Sequence, residues 1–375
     1  MNQFDHKVSA APENIFPDIK VTKDSFTKIT VRSSDFALQY LENSDISKPQ
    51  YNRLVSWFVL FNLLSANSSE WPGKLNTLQQ TYAEKSSNID NDLEKLKGEL
   101  PAIIPRDLGR SFSVFYQFYQ DLHLTANYFD EEVLRIHRIF YFLTKECESF
   151  DYIQGLDRIV YLCVCVACSF CIQIGLNADY AESFGFYASK HFISEISIAN
   201  QVLDPEQSSL IFMDVADFIN TASAVTASAY KSQNLRADMY SMNFLLQLFA
   251  QQHEPVETLT LWDLIILHSK SSEKDKPFKI DEASKFRIIY SILMAHLMQV
   301  QIGVNTTETL QRILKTDDYN FTRLINDTNR FFLRKKISQV SNERSGGVPP
   351  GLVLIGVTAI ALICGLLLYR FFQNN

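Results

Sequence analysis

The sequence predicts an all-α fold, and three observations support this class. Apolar residues recur mostly at helical spacing along the 375-residue chain. Glycine and proline are sparse, with 12 and 11 copies. Neither glycine-rich phosphate-binding string, G-x-G-x-x-G or G-x-x-x-x-G-K-[ST], occurs. Together these features argue against an α/β domain that itself binds a nucleotide.

The composition fits a well-packed acidic protein. The length allows two domains by size, and core material is ample, because 46% of the residues are hydrophobic and 28 are phenylalanine. The formal net charge is −7 and the pI is about 5.6. A chain of this charge suits the phosphate backbone poorly, so we expect no nucleic-acid partner.

The chain opens with a polar stretch that contains Pro12 and Pro17, so we predict an N-terminal irregular extension over residues 1–47. Its first seven residues lack a continuous apolar core, and we therefore expect no signal peptide and synthesis in the cytosol. Helical periodicity begins near residue 48, where Arg53 and Trp57 stand in R-L-V-S-W-F-V-L-F-N-L-L. We expect this indole to be a core anchor rather than a binding residue.

Further helices are predicted in order along the chain. Residues 86–99 are charged and indicate a solvated helix or a linker. An apolar face at i, i+3, i+7 and i+10 then predicts a helix packed on one side, formed by Val133, Ile136, Phe140 and Leu143. The apolar string F-L-L-Q-L-F precedes an L-W-D string, and residues 286–300 indicate another apolar-faced helix.

Two short strings contain residue types that suit phosphoryl transfer. The first, I-x-x-D-x-x-R, contains Ile104, Asp107 and Arg110; the second, Y-x-Q-G, contains Tyr152, Gln154 and Gly155. A guanidinium can bond phosphate oxygens in pairs, and a carboxamide can orient an attacking water while donating to phosphate. The spacing of Asp107 and Arg110 predicts an i,i+3 contact on one face of a helix. Glycine after the glutamine allows a close backbone approach.

In this order and separation, preceded by R-x-x-x-W and followed by L-W-D, the strings resemble the signatures of TBC-domain GTPase-activating proteins, which act on Rab GTPases. The resemblance covers residues 48–310 and implies a two-lobed helical TBC domain. It makes Arg110, in a helix-start setting, an arginine finger and Gln154 a glutamine finger, supported by Asp107, Tyr152 and Gly155. It implies a structural role for the other signature residues, Arg53, Trp57, Ile104, Trp262 and Asp263.

The resemblance also implies a GTP-bound Rab GTPase as the partner, which would itself hold the GTP and magnesium, so that this chain carries no cofactor and no metal. The chain departs from the family pattern at Ser111, where threonine is common, and at Leu156-Asp157-Arg158, which replaces the usual M-N-D behind the glutamine. The alternative function is a catalytically inactive, membrane-anchored Rab-binding tether or adaptor, which would need neither finger.

Residues 351–369 form an uncharged run of nineteen residues, which as a helix would extend about 28 Å, against roughly 30 Å for a bilayer core. We therefore predict a transmembrane tail anchor over residues 351–370, preceded by a C-terminal helix and flexible tether over residues 311–350. Basic residues are more numerous before the run than after it, which places the bulk in the cytosol. A buried C-terminal core helix is the alternative.

The resemblance extends to C-terminally membrane-anchored TBC proteins of the endoplasmic reticulum, so we expect that membrane, with the peroxisome and the outer mitochondrial membrane as alternatives. The chain contains four N-x-[ST] strings, which begin at Asn67, Asn305, Asn320 and Asn326. Glycans on any of them would reverse the expected topology.

Three other patterns compete with this interpretation. Four cysteines, Cys163, Cys165, Cys168 and Cys171, could suggest a metal site, but their strongly apolar setting favours small buried side chains. The same run, 159–176, is long enough for a second membrane span, although a core helix is the favoured reading. His137 lies on a mixed helix face, where a structural role is more common than a general base.

Overall fold

The computed structural model describes residues 21–22, 31, 34–43, 45–89, 91–125, 127–147, 150–270, 279–315 and 319–334. Within these residues the regular secondary structure is helical, apart from an isolated antiparallel bridge between Lys270 and Ile280. The all-α prediction is therefore confirmed for the described part of the chain.

The first group of helices is built around one central helix. Its members are α1 (Ser34–Glu42), α2 (Tyr51–Leu60), α3 (Trp71–Ser86), α4 (Leu93–Glu99), α5 (Ile103–Asp121), α6 (Glu132–Glu146), α7 (Leu156–Ile174) and α8 (Ala178–His191). Helix α7 packs against α2, α5 and α8, while α8 also packs against α3 and α6. The predicted apolar face of α6 is buried at Ile136, Phe140 and Leu143.

A five-residue π-helix, Phe192–Ile196, leads from α8 into the second group. That group comprises α9 (Ala199–Leu203), α10 (Pro205–Ala222), α11 (Ala224–Ser232), α12 (Ala237–Leu246), α13 (Pro255–His268), α14 (Glu282–Leu297), α15 (Thr306–Leu314) and α16 (Phe321–Leu333). Helix α14 packs against α10, α13 and α16, and α13 also packs against α1 and α5 of the first group. The two groups are thus joined through α13.

Helix α7 is the core helix of the first group. It is the one described helix long and apolar enough, by length and composition, to cross a membrane. Yet 78% of its most apolar stretch of 18 residues is buried inside the protein. Gly185 of α8 lies against it so closely that an added Cβ would come within 2.8 Å of the Val164 side chain. Packing of this kind surrounds α7 with protein and fits a core helix.

The structure differs from the predicted boundaries at both ends of the domain. The interval 1–47 was expected to be irregular, but its described part contains α1, whose Ala37 and Leu41 are buried and which packs against α2 and α13. An apolar i,i+4 pair in a short helix gives little periodic signal, which explains the error. Beyond residue 310 a C-terminal helix was expected, and α16 packs on α14 with Leu324 and Phe331 buried, so this helix belongs to the folded domain. The tether after residue 334 and the predicted anchor 351–370 lie outside the described residues.

Three of the N-x-[ST] asparagines have a structural use as helix caps. The Asn67 Oδ1 atom accepts a hydrogen bond from the Ser69 N–H at 3.1 Å, at the start of a short 3₁₀ helix. Asn305 and Asn320 cap α15 and α16 in the same way. Asparagine is a favoured N-cap residue, so these strings are accounted for by local folding without a glycan.

Candidate functional site

Helix α5 presents the predicted arginine on its exposed face. Ile104 and Leu108 are fully buried on the opposite face, whereas the Arg110 side chain is 61% exposed. Arg110 lies about two turns into the helix, not in the helix-start setting that the sequence suggested. The helix axis, rather than a flexible loop, therefore sets the position of this guanidinium.

Asp107 holds the Arg110 guanidinium through an ion pair. The Arg110 Nη2 atom forms the i,i+3 ion pair with Asp107 Oδ1 that their spacing predicts. Asp107 itself is buried, with only 5% of its side chain exposed. One end of the ion pair is thus fixed within the protein, while most of the guanidinium faces solvent.

The predicted glutamine lies on a tight turn at the start of α7. Gln154 is exposed, and Gly155 is the buried N-cap residue with φ of +101°, a left-handed conformation that favours glycine. The turn is closed by hydrogen bonds from the Leu156 N–H to the Ile153 carbonyl at 3.0 Å and from the Arg158 N–H to the Gly155 carbonyl at 3.2 Å. A side chain at Gly155 would also collide with a neighbour, because an added Cβ would lie 2.2 Å from Gln247 Nε2.

Buried polar groups connect the arginine helix to the glutamine turn. Burial raises the pKa of the Tyr152 hydroxyl, and the nearby carboxylates of Asp157 and Asp107 add to this. Burial likewise raises the pKa of Asp157, while a hydrogen bond with Ser111 acts in the opposite direction. The Ser111 hydroxyl in turn lies 3.0 Å from the Tyr161 hydroxyl of α7. The two motifs, 44 positions apart at Arg110 and Gln154, are therefore brought to the same end of the α5–α7 contact.

The residues around R-x-x-x-W and L-W-D meet in a second polar cluster, which is completely buried. The Asp263 carboxylate accepts hydrogen bonds from Arg53 Nε at 3.0 and 3.1 Å and from Trp57 Nε1 at 2.9 Å. Arg53 Nη2 and Lys48 Nζ lie 2.9 and 2.7 Å from Asp263 Oδ2. We call Lys48, Arg53, Trp57 and Asp263 the buried charge cluster. It links α2 to α13 across the two helix groups.

Trp262, beside Asp263, is also fully buried. Its ring centroid lies 4.6 Å from that of Phe192 and 6.3 Å from that of Trp57. Its Nε1 donates a hydrogen bond to the Leu248 carbonyl at 2.8 Å. The W-D pair lies in the middle of α13.

No family model and no curated protein matches this sequence. Among solved structures, the crystal structure of the Ypt/Rab-GAP domain of Gyp1p is similar to this chain, with a TM-score of 0.56 and 13% sequence identity. The match covers 82% of this chain and 95% of that one. The chain has the fold of a Ypt/Rab-GAP domain. The fold that the sequence motifs implied is therefore confirmed.

Two residues of this Ypt/Rab-GAP fold were missed by sequence reasoning. Lys48 joins the buried charge cluster, but a single lysine ahead of a helix gives no signal of burial. Gln247 lies against Gly155. The available signal was that Gln247 is the single polar residue in the apolar string F-L-L-Q-L-F.

The competing patterns resolve into structural positions in the Ypt/Rab-GAP fold. Cys163, Cys165, Cys168 and Cys171 are fully buried thiols outside any disulfide, and burial raises their pKa values. Among the described residues, no group of three His, Cys, Asp or Glu side chains is placed to hold a metal ion. His137 is buried with its Nδ1 2.6 Å from the Val133 carbonyl, and burial lowers its pKa. A general base would need access that this ring lacks.

Proposed function

We propose that this chain is a GTPase-activating protein for a Rab-family small GTPase. It would supply Arg110 as an arginine finger and Gln154 as a glutamine finger to a GTP-bound partner. The observation that carries the proposal is the pairing of an exposed arginine, held by a buried aspartate, with an exposed glutamine turn at one end of the α5–α7 contact. The Ypt/Rab-GAP fold supports the same conclusion.

Arg110 suits the charge that develops during phosphoryl transfer. Transfer of the γ-phosphoryl group depends mainly on positioning and on stabilising charge on its oxygens. The guanidinium is permanently charged and can make paired bonds to those oxygens. The ion pair with Asp107 orients the side chain in advance, which lowers the entropic cost of engaging the partner.

Gln154 suits the other requirement, which is to aim the attacking water. Its carboxamide can accept a hydrogen bond from water and donate one to phosphate. A glutamine on a closed turn beside a buried glycine is held in place more firmly than one on a long loop. The partner would bind the GTP and the magnesium ion, so this chain would contribute side chains and no cofactor.

The test is single-turnover GTP hydrolysis by a panel of Rab GTPases with the full 375-residue chain. We expect at least one Rab to respond, and Arg110→Ala and Gln154→Ala each to lower the stimulated rate by about 10²-fold or more. Arg106→Ala is the matched control, since Arg106 is an exposed arginine one turn earlier on the same helix. It should change the rate by less than about threefold.

Two results would overturn the proposal. If no Rab responds, or if both finger variants remain fully active, the catalytic assignment fails. Rab binding that depends on GTP but produces no acceleration would instead establish the inactive tether.

We further propose that residues 351–370 anchor the chain in the endoplasmic-reticulum membrane with the domain in the cytosol, as the apolar run supports. An anchored activator meets its partner on one surface at raised effective concentration, so a modest affinity would suffice. One test is whether the full chain resists alkaline extraction from membranes. Organelle markers in the same fractions identify the membrane. A variant lacking 351–370 should become extractable, and an extractable full chain would contradict the anchor.

A further inference from the structure

The glutamine turn rests on a side chain from the second helix group. The three atoms nearest to a Cβ added at Gly155 are Nε2, Cδ and Cγ of Gln247, at 2.2, 2.5 and 2.8 Å. The glycine therefore leaves a space that the Gln247 carboxamide occupies. Gln154 precedes this contact directly, so the position of its backbone depends on the side chain beneath it.

Gln247 is placed in a way that packing alone does not explain. It follows α12 as the C-cap residue and is 9% exposed. Its Oε1 atom is buried without a hydrogen-bond partner among the described residues. An unpaired buried acceptor costs free energy, because the group gives up its hydrogen bonds to water and gains none in the protein. An apolar residue at position 247 would avoid that cost, so core packing alone does not account for a carboxamide here.

The backbone that carries Gln247 is held from the core. Leu248 and Phe249 follow it in left-handed conformations, with φ of 45° and 68°, and both side chains are fully buried. Trp262 Nε1 donates to the Leu248 carbonyl at 2.8 Å, and Trp262 adjoins Asp263 of the buried charge cluster. A continuous set of contacts thus leads from this cluster to the Gly155 turn.

We infer that Gln247 is a positioning residue that fixes the Gln154 turn for catalysis. The inference rests on the proposed function. Gln247 acts through Gly155 and does not itself reach the nucleotide. Through Trp262, the L-W-D segment would determine where the glutamine finger points, although it lies in the other helix group.

The first test is stimulated GTP hydrolysis by the full chain with a responsive Rab. Gln247→Ala should lower the single-turnover rate at saturating activator about 10–100-fold, because small misplacements of catalytic groups are costly. The dissociation constant for the GTP-bound Rab should change less than about twofold. In an Arg110→Ala background the loss should persist, whereas in a Gln154→Ala background it should shrink to less than about twofold.

The second test needs no partner. Hydrogen exchange at the Leu156 and Arg158 amides, whose bonds close the turn, should accelerate about tenfold in Gln247→Ala. Gln252→Ala is the matched control. Gln252 is buried in the same segment, and its Oε1 is also without a hydrogen-bond partner among the described residues. It should leave these two amides and the hydrolysis rate unchanged within about twofold.

The outcomes distinguish a failure of the role of Gln247 from a failure of the proposed function. Unchanged exchange at the two amides, or a full additional loss in the Gln154→Ala background, overturns the role of Gln247 while the proposed function stands. Equal effects of Gln247→Ala and Gln252→Ala would also overturn it. If the native chain stimulates no Rab, the proposed function fails first, and the catalytic part of this inference falls with it.

Discussion

Two arginine–aspartate pairs in this molecule use the same chemistry in opposite settings. Arg53 and Asp263 are 210 positions apart in sequence and both fully buried. Arg110 and Asp107 are three positions apart, and only the aspartate is buried, while 61% of the arginine side chain is exposed. The first pair joins α2 to α13, and the second projects a guanidinium from the surface of α5.

The difference lies in what surrounds each carboxylate. Asp263 receives Lys48 and Trp57 as well as Arg53, so its charge is compensated entirely within the fold. Buried charges require such compensation. Within the described part of the chain the Arg110 guanidinium has one carboxylate partner, Asp107, and its exposed face remains available to a phosphate or another protein. Burial of the arginine thus separates a structural pair from a pair suited to a partner.

The largest effect is expected at the exposed arginine. Arg110→Lys keeps the positive charge but removes the planar fork, so the stimulated hydrolysis rate should fall about 10²–10³-fold. The free energy of unfolding should change by less than about 0.5 kcal/mol, because the side chain is exposed. Single-turnover hydrolysis and urea unfolding measure the two quantities. A large loss of stability would contradict the contrast between the pairs.

The second effect is expected at the buried arginine and should appear in stability. Arg53→Met removes the main partner of a buried carboxylate and should lower the free energy of unfolding by about 3–5 kcal/mol. Urea unfolding of the full chain provides the measurement. Arg106→Met, at an exposed position, is the control and should cost less than about 0.5 kcal/mol. Equal costs would show that burial does not distinguish these arginines.

The sequence predicted the features of this fold that depend on local pattern. The apolar face of α6 and the long apolar run of α7 are periodic, and both helices form where expected. The i,i+3 contact of Asp107 and Arg110 follows from helix geometry alone. The short α1 was missed because one turn of apolar spacing is too little signal.

Contacts between distant segments could not be predicted from the same patterns. Nothing near Arg53 indicates that its partner is Asp263, because tertiary packing brings α2 and α13 together. The same holds for Gly155 and Gln247: the glycine signals a close approach but does not identify the neighbour. The sequence therefore indicated which residues belong to the candidate site, whereas its supports from the second helix group required the structure.

A smaller effect is expected at Asp107, the buried member of the Arg110–Asp107 pair. Asp107→Asn keeps an acceptor for Arg110 but removes the charge that holds the guanidinium, so the stimulated rate should fall about tenfold. The dissociation constant for the GTP-bound Rab should change little. A loss as large as that of Arg110→Ala would mean that Asp107 does more than orient its neighbour. Single-turnover rates over a range of activator concentrations distinguish these cases.

The smallest effect is expected at the second cation of the buried charge cluster. Lys48→Met leaves Arg53 to compensate Asp263. The two carbonyls that Lys48 releases belong to Tyr40, which is half-buried, and to Asn43, which is exposed and can reach water. The free energy of unfolding should therefore change by less than about 1 kcal/mol, since buried ion pairs often tolerate apolar replacement. A cost equal to that of Arg53→Met would show that the cluster needs both cations.

The difference in free energy of unfolding between the native chain and Lys48→Met should also depend on pH. Burial lowers the pKa of Lys48 from 10.5, and the nearby Arg53 charge also lowers it, while Asp263 acts in the opposite direction. Between the lowered folded value and the unfolded value of about 10.5, the unfolded chain binds more protons, so the native protein gains stability as pH rises. Lys48→Met lacks this gain. Urea unfolding of both proteins from pH 7 to pH 10.5 should show the native chain gaining relative to the variant, and a constant difference would mean that Lys48 titrates alike in both states.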